Sequence, residues 1–190
     1  QLWFRNTWSW GRDDRRPSLR LVDADDTLAP GTTVIQAEHG WLGRYVLVAE
    51  GAPDVLFCDN ETNVAAVFGP DAGASLSAYP KDGIGRAVVD GDDSGTNPAA
   101  TGTKVGLVYR FESVAPGETV RVQLRLRADH QVERPFGRSF ASVLEDRSRE
   151  ADEFYESVIP SHVSDEDRHV CRRAFAGLNW GKQLYRYSVK

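Results

Sequence analysis

The chain of 190 residues contains no methionine, and it opens on Gln1. A natural start is therefore expected upstream, and the chain reads as an internal piece of a longer polypeptide. Cysteine is scarce. Cys58 and Cys171 stand far apart and outside any CxxC spacing. That excludes a thiolate metal knuckle and leaves two buried, reduced thiols as the expectation, in a cytoplasmic protein. No apolar run approaches the roughly 20 residues needed to cross a bilayer, and no charged-then-apolar leader is visible. No membrane partner is expected. Positive charge is not in excess either. A net charge of −5 argues against a nucleic-acid partner, which a basic face would have to attract. What remains is the composition of a globular domain long enough for one core.

The pattern changes near residue 136. Before it, the segments 32–38, 44–50, 54–58, 85–90, 104–114 and 118–128 are short and rich in β-branched residues, and they are bounded by Gly, Pro, Asn and Asp. Each reads as a strand. In the last, Val120, Val122, Leu124 and Leu126 alternate with Arg121, Gln123, Arg125 and Arg127, which predicts one buried and one wet face. Pro116 and Gly117 between the last two segments suit a type II turn, so an antiparallel hairpin is expected there. With no helix-length pattern between strands, the fold class expected for 1–136 is an antiparallel β-sandwich. Segments 23–31 and 90–102 read as loops.

Over 137–190 the period becomes helical. Phe140, Val143, Leu144, Ala151, Phe154, Tyr155 and Val158 share one face of a long helix, and Pro160 ends it. Ser164 followed by Asp167 gives the capping pattern of a second helix. Val170, Ala174, Phe175, Leu178 and Tyr185 form its stripe, which runs to about residue 188. Two long linker helices are the expectation.

Few stretches carry chemistry. Asp90, Asp92 and Ser94 open like a calcium loop, but Thr101 stands where the bidentate glutamate is needed. A polar loop tip is the plainer reading, and no other metal candidate exists. "GTNPAATGTK" (95–104) fails the phosphate-loop spacing and "GIG" (83–85) is a lone fragment, so no cofactor is implied. His39, His130, His162 and His169 are scattered, and nothing suggests a nucleophile with its base. The carboxylates at 145–156 lie along one helix with arginines interleaved, which suits a solvated or docking face rather than a catalytic pair. Two clusters are richer. "CDNETN" (58–63) places Asp59, Asn60, Glu61, Thr62 and Asn63 after an apolar strand, and "YPKDG" (79–83) adds Lys81 and Asp82. Such groups hydrogen-bond sugar hydroxyls, or else close their own Asx turns. Trp3, Trp8 and Trp10 in "WFRNTWSWG" (3–11) are either an aromatic platform or core residues of an interior strand.

"LWFRNTWSWG" (2–11), "NETN" (60–63), "FG" (68–69), "KDG" (81–83), "NP" (97–98), "GTK" (102–104), "READEFY" (149–155) and "AFAGLNWGKQLYRYSV" (174–189) resemble, in the same order, stretches of large bacterial proteins of glycoside hydrolase family 63, the mannosyl-oligosaccharide glucosidase-like group. Ala66 and Val67, and then Asn179, Gly181 and Ser188, depart from that pattern. The resemblance implies a supersandwich-like region, incomplete here, followed by linker helices and then an (α/α)6 barrel carrying the acidic pair, which would lie beyond Lys190. It transfers no catalytic residue to this chain. The expectation is a non-catalytic portion of an inverting α-glycosidase that braces the barrel. Asn60, Glu61, Asn63, Lys81 and Asp82 would then shape a rim for an oligosaccharide or glycoside. The alternative is a stand-alone carbohydrate-binding or protein-interaction sandwich. Uncovered sheet edges and helix faces predict that the isolated chain self-associates.

Overall fold

The computed structural model describes residues 1–10, 15–23, 30–130 and 134–182. The chain divides into two compact units, Gln1–Phe136 and Gly137–Lys190. The described strands of the first unit are β1 (Leu2–Trp3), β2 (Ser18–Val22), β3 (Thr32–His39), β4 (Gly43–Glu50), β5 (Asp54–Cys58), β6 (Thr101–Gly102), β7 (Lys104–Val108) and β8 (Leu124–Ala128). They form two antiparallel sheets, one ordered β6-β2-β3-β4-β8 and the other β1-β7-β5.

Alternation builds the core. Ile35 and Ala37 on β3 lie opposite Leu47 and Tyr45 on β4, and Ile35, Ala37 and Leu47 join Leu19 of β2. Phe57 of β5 and Val105 of β7 complete the same cluster from the smaller sheet. Each of these side chains larger than alanine contributes about 1.5–3 kcal/mol by leaving water. The β3–β4 turn is fixed by chemistry local to it. His39 Nδ1 accepts from the backbone N–H groups of Trp41 (3.1 Å) and Leu42 (3.3 Å). Gly43 takes a φ of 80°, which only glycine adopts without strain.

Several expectations are corrected. Residues 85–90 are no strand; 85–89 belong to helix α2 (Gly83–Val89), which Asp90 caps, preceded by the short α1 (Val64–Phe68). Helix α2 docks by its first turn. A Cβ on Gly83 would lie 2.0 Å from the Gly95 carbonyl oxygen, and Ile84 packs against Gly106. Val88 and Val89, whose β-branching suggested a strand, point outward instead, and Val89 is 81% exposed.

The tryptophan-rich opening is also no interior strand. Only Leu2 and Trp3 pair, with Val105 and Lys104, and Thr7–Trp10 coil into a 3-10 turn. The 115–118 turn forms, with Glu118 N–H donating to the Ala115 carbonyl at 3.0 Å, yet its flanks do not make a hairpin. β7 joins the smaller sheet while β8 pairs with β4. The predicted buried face of 118–128 is exposed at Val120, Leu124 and Leu126, while Arg125 and Arg127 on the predicted wet face are only partly exposed.

The second unit carries α3 (Arg138–Val158) and α4 (Asp165–Gly181). Ser164 caps α4, accepting from Asp167 N–H at 3.1 Å while its hydroxyl donates to the Asp167 carboxylate at 2.8 Å. Polar contacts link the two helices. Arg172 bonds Asp152 at 2.5 Å and lies 4.7 Å from the Tyr155 ring centre. The α4 stripe faces away from α3: Val170, Ala174 and Leu178 are exposed. Tyr185 and the expected end near 188 lie outside the described residues. Among the described helices none is long and apolar enough to cross a membrane.

Candidate functional site

One corner of the sheet unit gathers the polar clusters singled out in the sequence. Strand β5 ends at Cys58, and the chain leaves the sheet at Asp59. That carboxylate is a hub. One oxygen accepts from Thr103 N–H (3.1 Å) and Thr103 Oγ1 (3.3 Å). The other accepts from Ser77 Oγ (2.6 Å) and pairs with Arg16 (2.7 Å). Thr103 Oγ1 in turn accepts from Asn60 N–H at 2.8 Å, so the buried hydroxyl uses both its donor and its acceptor capacity.

Glu61 points inward and is 4% exposed. Its Oε1 accepts from the Trp8 indole N–H at 2.6 Å and from Ser9 Oγ at 2.9 Å. The Asn60 amide donates to the Phe4 carbonyl at 2.8 Å. The tryptophan turn is thus pinned from beneath by the cluster that follows β5. The guanidinium of Arg16 covers Trp8 at 5.8 Å, which makes Trp8 a wall of this corner rather than an open stacking face. Trp3 is 55% exposed on the two-residue edge strand β1. Trp10 closes the 3-10 turn, and its side chain lies outside the described residues.

The second cluster is similarly engaged. Asn63 caps α1 by accepting from Ala66 N–H (3.2 Å), and its amide donates to Asp82 at 2.9 Å. Asp82 also faces Arg86 at 3.8 Å. Lys81 is the most open member, with Nζ 3.4 Å from Thr62 Oγ1. Its backbone N–H donates to the Glu61 carbonyl at 2.9 Å, which ties the two clusters together.

The calcium candidates do not converge. Asp90 caps the end of α2. Asp92 caps a 3-10 turn by accepting from Ser94 N–H at 3.1 Å and faces Arg86 at 3.6 Å. Hydrogen bonds from Ser94 hold the Asp92 carboxyl below its ordinary pKa. Among the described residues no group of three or more His, Cys, Asp or Glu side chains is placed to hold a metal ion. Cys58 is fully buried at the same corner. Burial pushes its thiol up to about 11, so it is inert as a nucleophile at neutral pH.

The structure brings together Asn60, Glu61, Asn63, Lys81 and Asp82, with Trp8 against them. It leaves Trp3 and the 90–94 loop apart from the Glu61 hydrogen bonds. Sequence reasoning passed over Arg16, Ser77 and Thr103. The signal for Thr103 was present, since "GTK" (102–104) is one of the stretches that resemble the glycosidase family. It lies beside "NETN" because Gly102 allows it: a Cβ there would sit 2.3 Å from the Cys58 carbonyl oxygen. What this corner offers chemically is a set of braced carboxylates: Asp59 and Glu61 are held by hydrogen bonds, and Asp82 is bonded through Oδ2 while its Oδ1 is buried without a hydrogen-bond partner among the described residues.

No family profile matches the chain, and no solved structure matches it. A curated relative is the uncharacterized protein YMR196W of Saccharomyces cerevisiae. It is 31% identical over 217 aligned residues, covering 99% of this chain and 19% of the yeast protein. The chain therefore spans about a fifth of the length of the relative it matches.

Proposed function

We propose that this chain is the non-catalytic sandwich-and-linker portion of a larger inverting α-glycosidase of the family 63 kind, bracing an (α/α)6 barrel that performs hydrolysis. The observation that carries the bracing role is the outward stripe of α4, where Val170 is 63% and Leu178 71% exposed. Apolar area of that kind on a helix is stabilised when another surface covers it, and a helical barrel is a suitable cover. The yeast relative, of which this chain matches a fifth, is consistent with a long parent polypeptide. The two sheets sharing one core support the sandwich reading, and α3 and α4 are the linker helices in this view.

The rim role narrows to Lys81, because Glu61 and Asn60 are committed to the tryptophan turn and Asn63 and Asp82 are bonded to each other. The chemistry would reside in the barrel, where one carboxylic acid protonates the leaving oxygen and one carboxylate activates water.

The test compares a parent-length polypeptide with the isolated chain on chromogenic α-glucosides and α-mannosides, with the anomer of the product read by NMR. The expected result is turnover with inversion by the long form and none by the chain alone. Turnover by the isolated chain would overturn the assignment, and so would retention of configuration by the long form or its failure to hydrolyse any α-glycoside.

A further inference from the structure

We infer that the cleft between α3 and α4 binds a small free amino acid, with the ligand's carboxylate on Arg168 and its ammonium on Glu156. This stands whether or not the chain belongs to a glycosidase.

The helical unit has a cavity of about 190 Å3 between its two helices. At ~30 Å3 of liquid per water, it has room for about six waters or one ligand of that size. α3 lines it with Asp152, Tyr155, Glu156 and Ile159, and α4 lines it with Arg168, His169 and Arg172. The spacing explains the set. Positions i, i+3, i+4 and i+7 share one face of α3, and Arg168 and Arg172 stand one turn apart on α4.

Two rungs of charge face each other across this cleft, and one of them is closed. Arg172 bonds Asp152 at 2.5 Å and covers the Tyr155 ring at 4.7 Å. The helices are joined through 159–164. One turn toward that connection from Asp152 is Glu156, and one turn toward it from Arg172 is Arg168. Both line the same cavity, yet this second rung is open: among the described residues neither side chain has an ion pair or hydrogen bond.

A ligand that closes an open rung must carry both charges, close together and in reverse order. The α-carbon of an amino acid holds a carboxylate and an ammonium in that way. A guanidinium fork matches a carboxylate, His169 adds a ring nitrogen beside it, and an ammonium brings three donors to Glu156. A simple anion gains Arg168 and is repelled by Glu156, and a simple amine meets the reverse. The closed rung adds no net charge to favour either. Ile159, 3% exposed, supplies an apolar wall for a small side chain.

The test titrates the whole chain with L-alanine to about 10 mM and reads backbone amide shifts by NMR. Acetyl-alanine and alaninamide, which keep one charge each, are the comparison probes. Alanine should shift amides within 152–159 and 165–172, and it should bind at least about tenfold tighter than either blocked form. Glu156→Gln should lower alanine to the affinity of acetyl-alanine, and Arg168→Gln should lower it to that of alaninamide. Arg173→Gln, outside the cleft, should leave binding unchanged. No shift with alanine overturns the inference, as does equal binding by a blocked form, or shifts confined to the sheet unit. Should a glutamine variant fail to fold, the three-probe comparison on the unaltered chain decides alone. Stability coupling between Glu156→Gln and Arg168→Gln without ligand, beyond the ~0.2–1 kcal/mol of an exposed pair, would show that the rung closes on itself and would overturn the inference too.

Discussion

The sheet unit and the helical unit use the same amphipathic grammar to opposite ends. In the first, alternation closes on itself: Leu19, Ile35, Leu47, Phe57 and Val105 are buried together. In the second, Ile159 is the one apolar side chain buried among the described residues, and the α4 stripe is turned to the outside. The polar residues tell the same story in reverse. Around β5, the side chains of Asp59 and Glu61 are drawn inward to tie loops together. In the helical unit Arg147, Arg149 and Arg172 form ion pairs at the surface with Glu150, Asp146 and Asp152, and exposed pairs of this kind contribute ~0.2–1 kcal/mol each. One unit is held by what it buries. The other, among its described residues, presents its apolar stripes at the surface.

Substitutions should separate the two units by size of effect. The largest losses belong to the sheet unit. Phe57→Ala should cost about 3–5 kcal/mol in urea unfolding, and Gly102→Ala should approach that, since its new methyl meets the Cys58 carbonyl. If either costs no more than Leu178→Ala, the contrast between the units is wrong. Next comes Glu61→Ala, which strips the acceptor from Trp8 and Ser9. It should cost on the order of 2–4 kcal/mol and shift Trp8 fluorescence, while Glu61→Gln, which keeps an acceptor oxygen, should cost less.

An alkaline titration sharpens the contrast further. The folded-state pKa of Cys58 lies above its ordinary value of 9.0, at about 11. Below the ordinary value both states hold the proton and stability is unaffected. Between the two values the unfolded chain releases its proton while the folded chain keeps it, so stability should fall as pH rises, by about 2 kcal/mol across that window. Cys58→Ser should remove that slope. In the folded chain at pH 8, maleimide should label partly exposed Cys171 and spare Cys58, and labelling of both at equal rates would show that the corner opens.

The smallest effects belong to the helices. Ser164→Ala should cost about 1 kcal/mol, confined to α4 and visible as faster amide exchange in its first turn. Leu178→Ser should change the stability of this chain by less than ~0.5 kcal/mol while weakening self-association in sedimentation. Strong destabilisation by Leu178→Ser would mean that the stripe is already packed.

Local rules made several elements legible. Thr32–His39, Gly43–Glu50 and Asp54–Cys58 alternate between turn residues, and they are strands. Pro160 and Ser164 mark the break between α3 and α4, and Pro116–Gly117 mark a turn that forms. What failed was everything that depended on a distant partner. Val88 and Val89 favour a strand, but among the described residues neither pairs with one, and the Gly83–Gly95 approach holds a helix there instead. The leucines of 118–128 predict a buried face, but in β8 they are the exposed row and the arginines the less exposed one. The candidate site was legible as composition, in "NETN" and "KDG", and not as geometry. No local rule says that Glu61 turns inward to Trp8, or that Thr103 and Ser77 meet Asp59.

The sequence by itself determined where the chain extends, turns and coils, because those preferences are set by each residue's own backbone and its near neighbours. Only the tertiary structure decided which strands share a sheet, which carboxylates are committed inside, and which apolar faces stay open. Those outcomes turn on close approaches between residues far apart in the chain, such as Gly102 against Cys58 and Glu61 beneath Trp8.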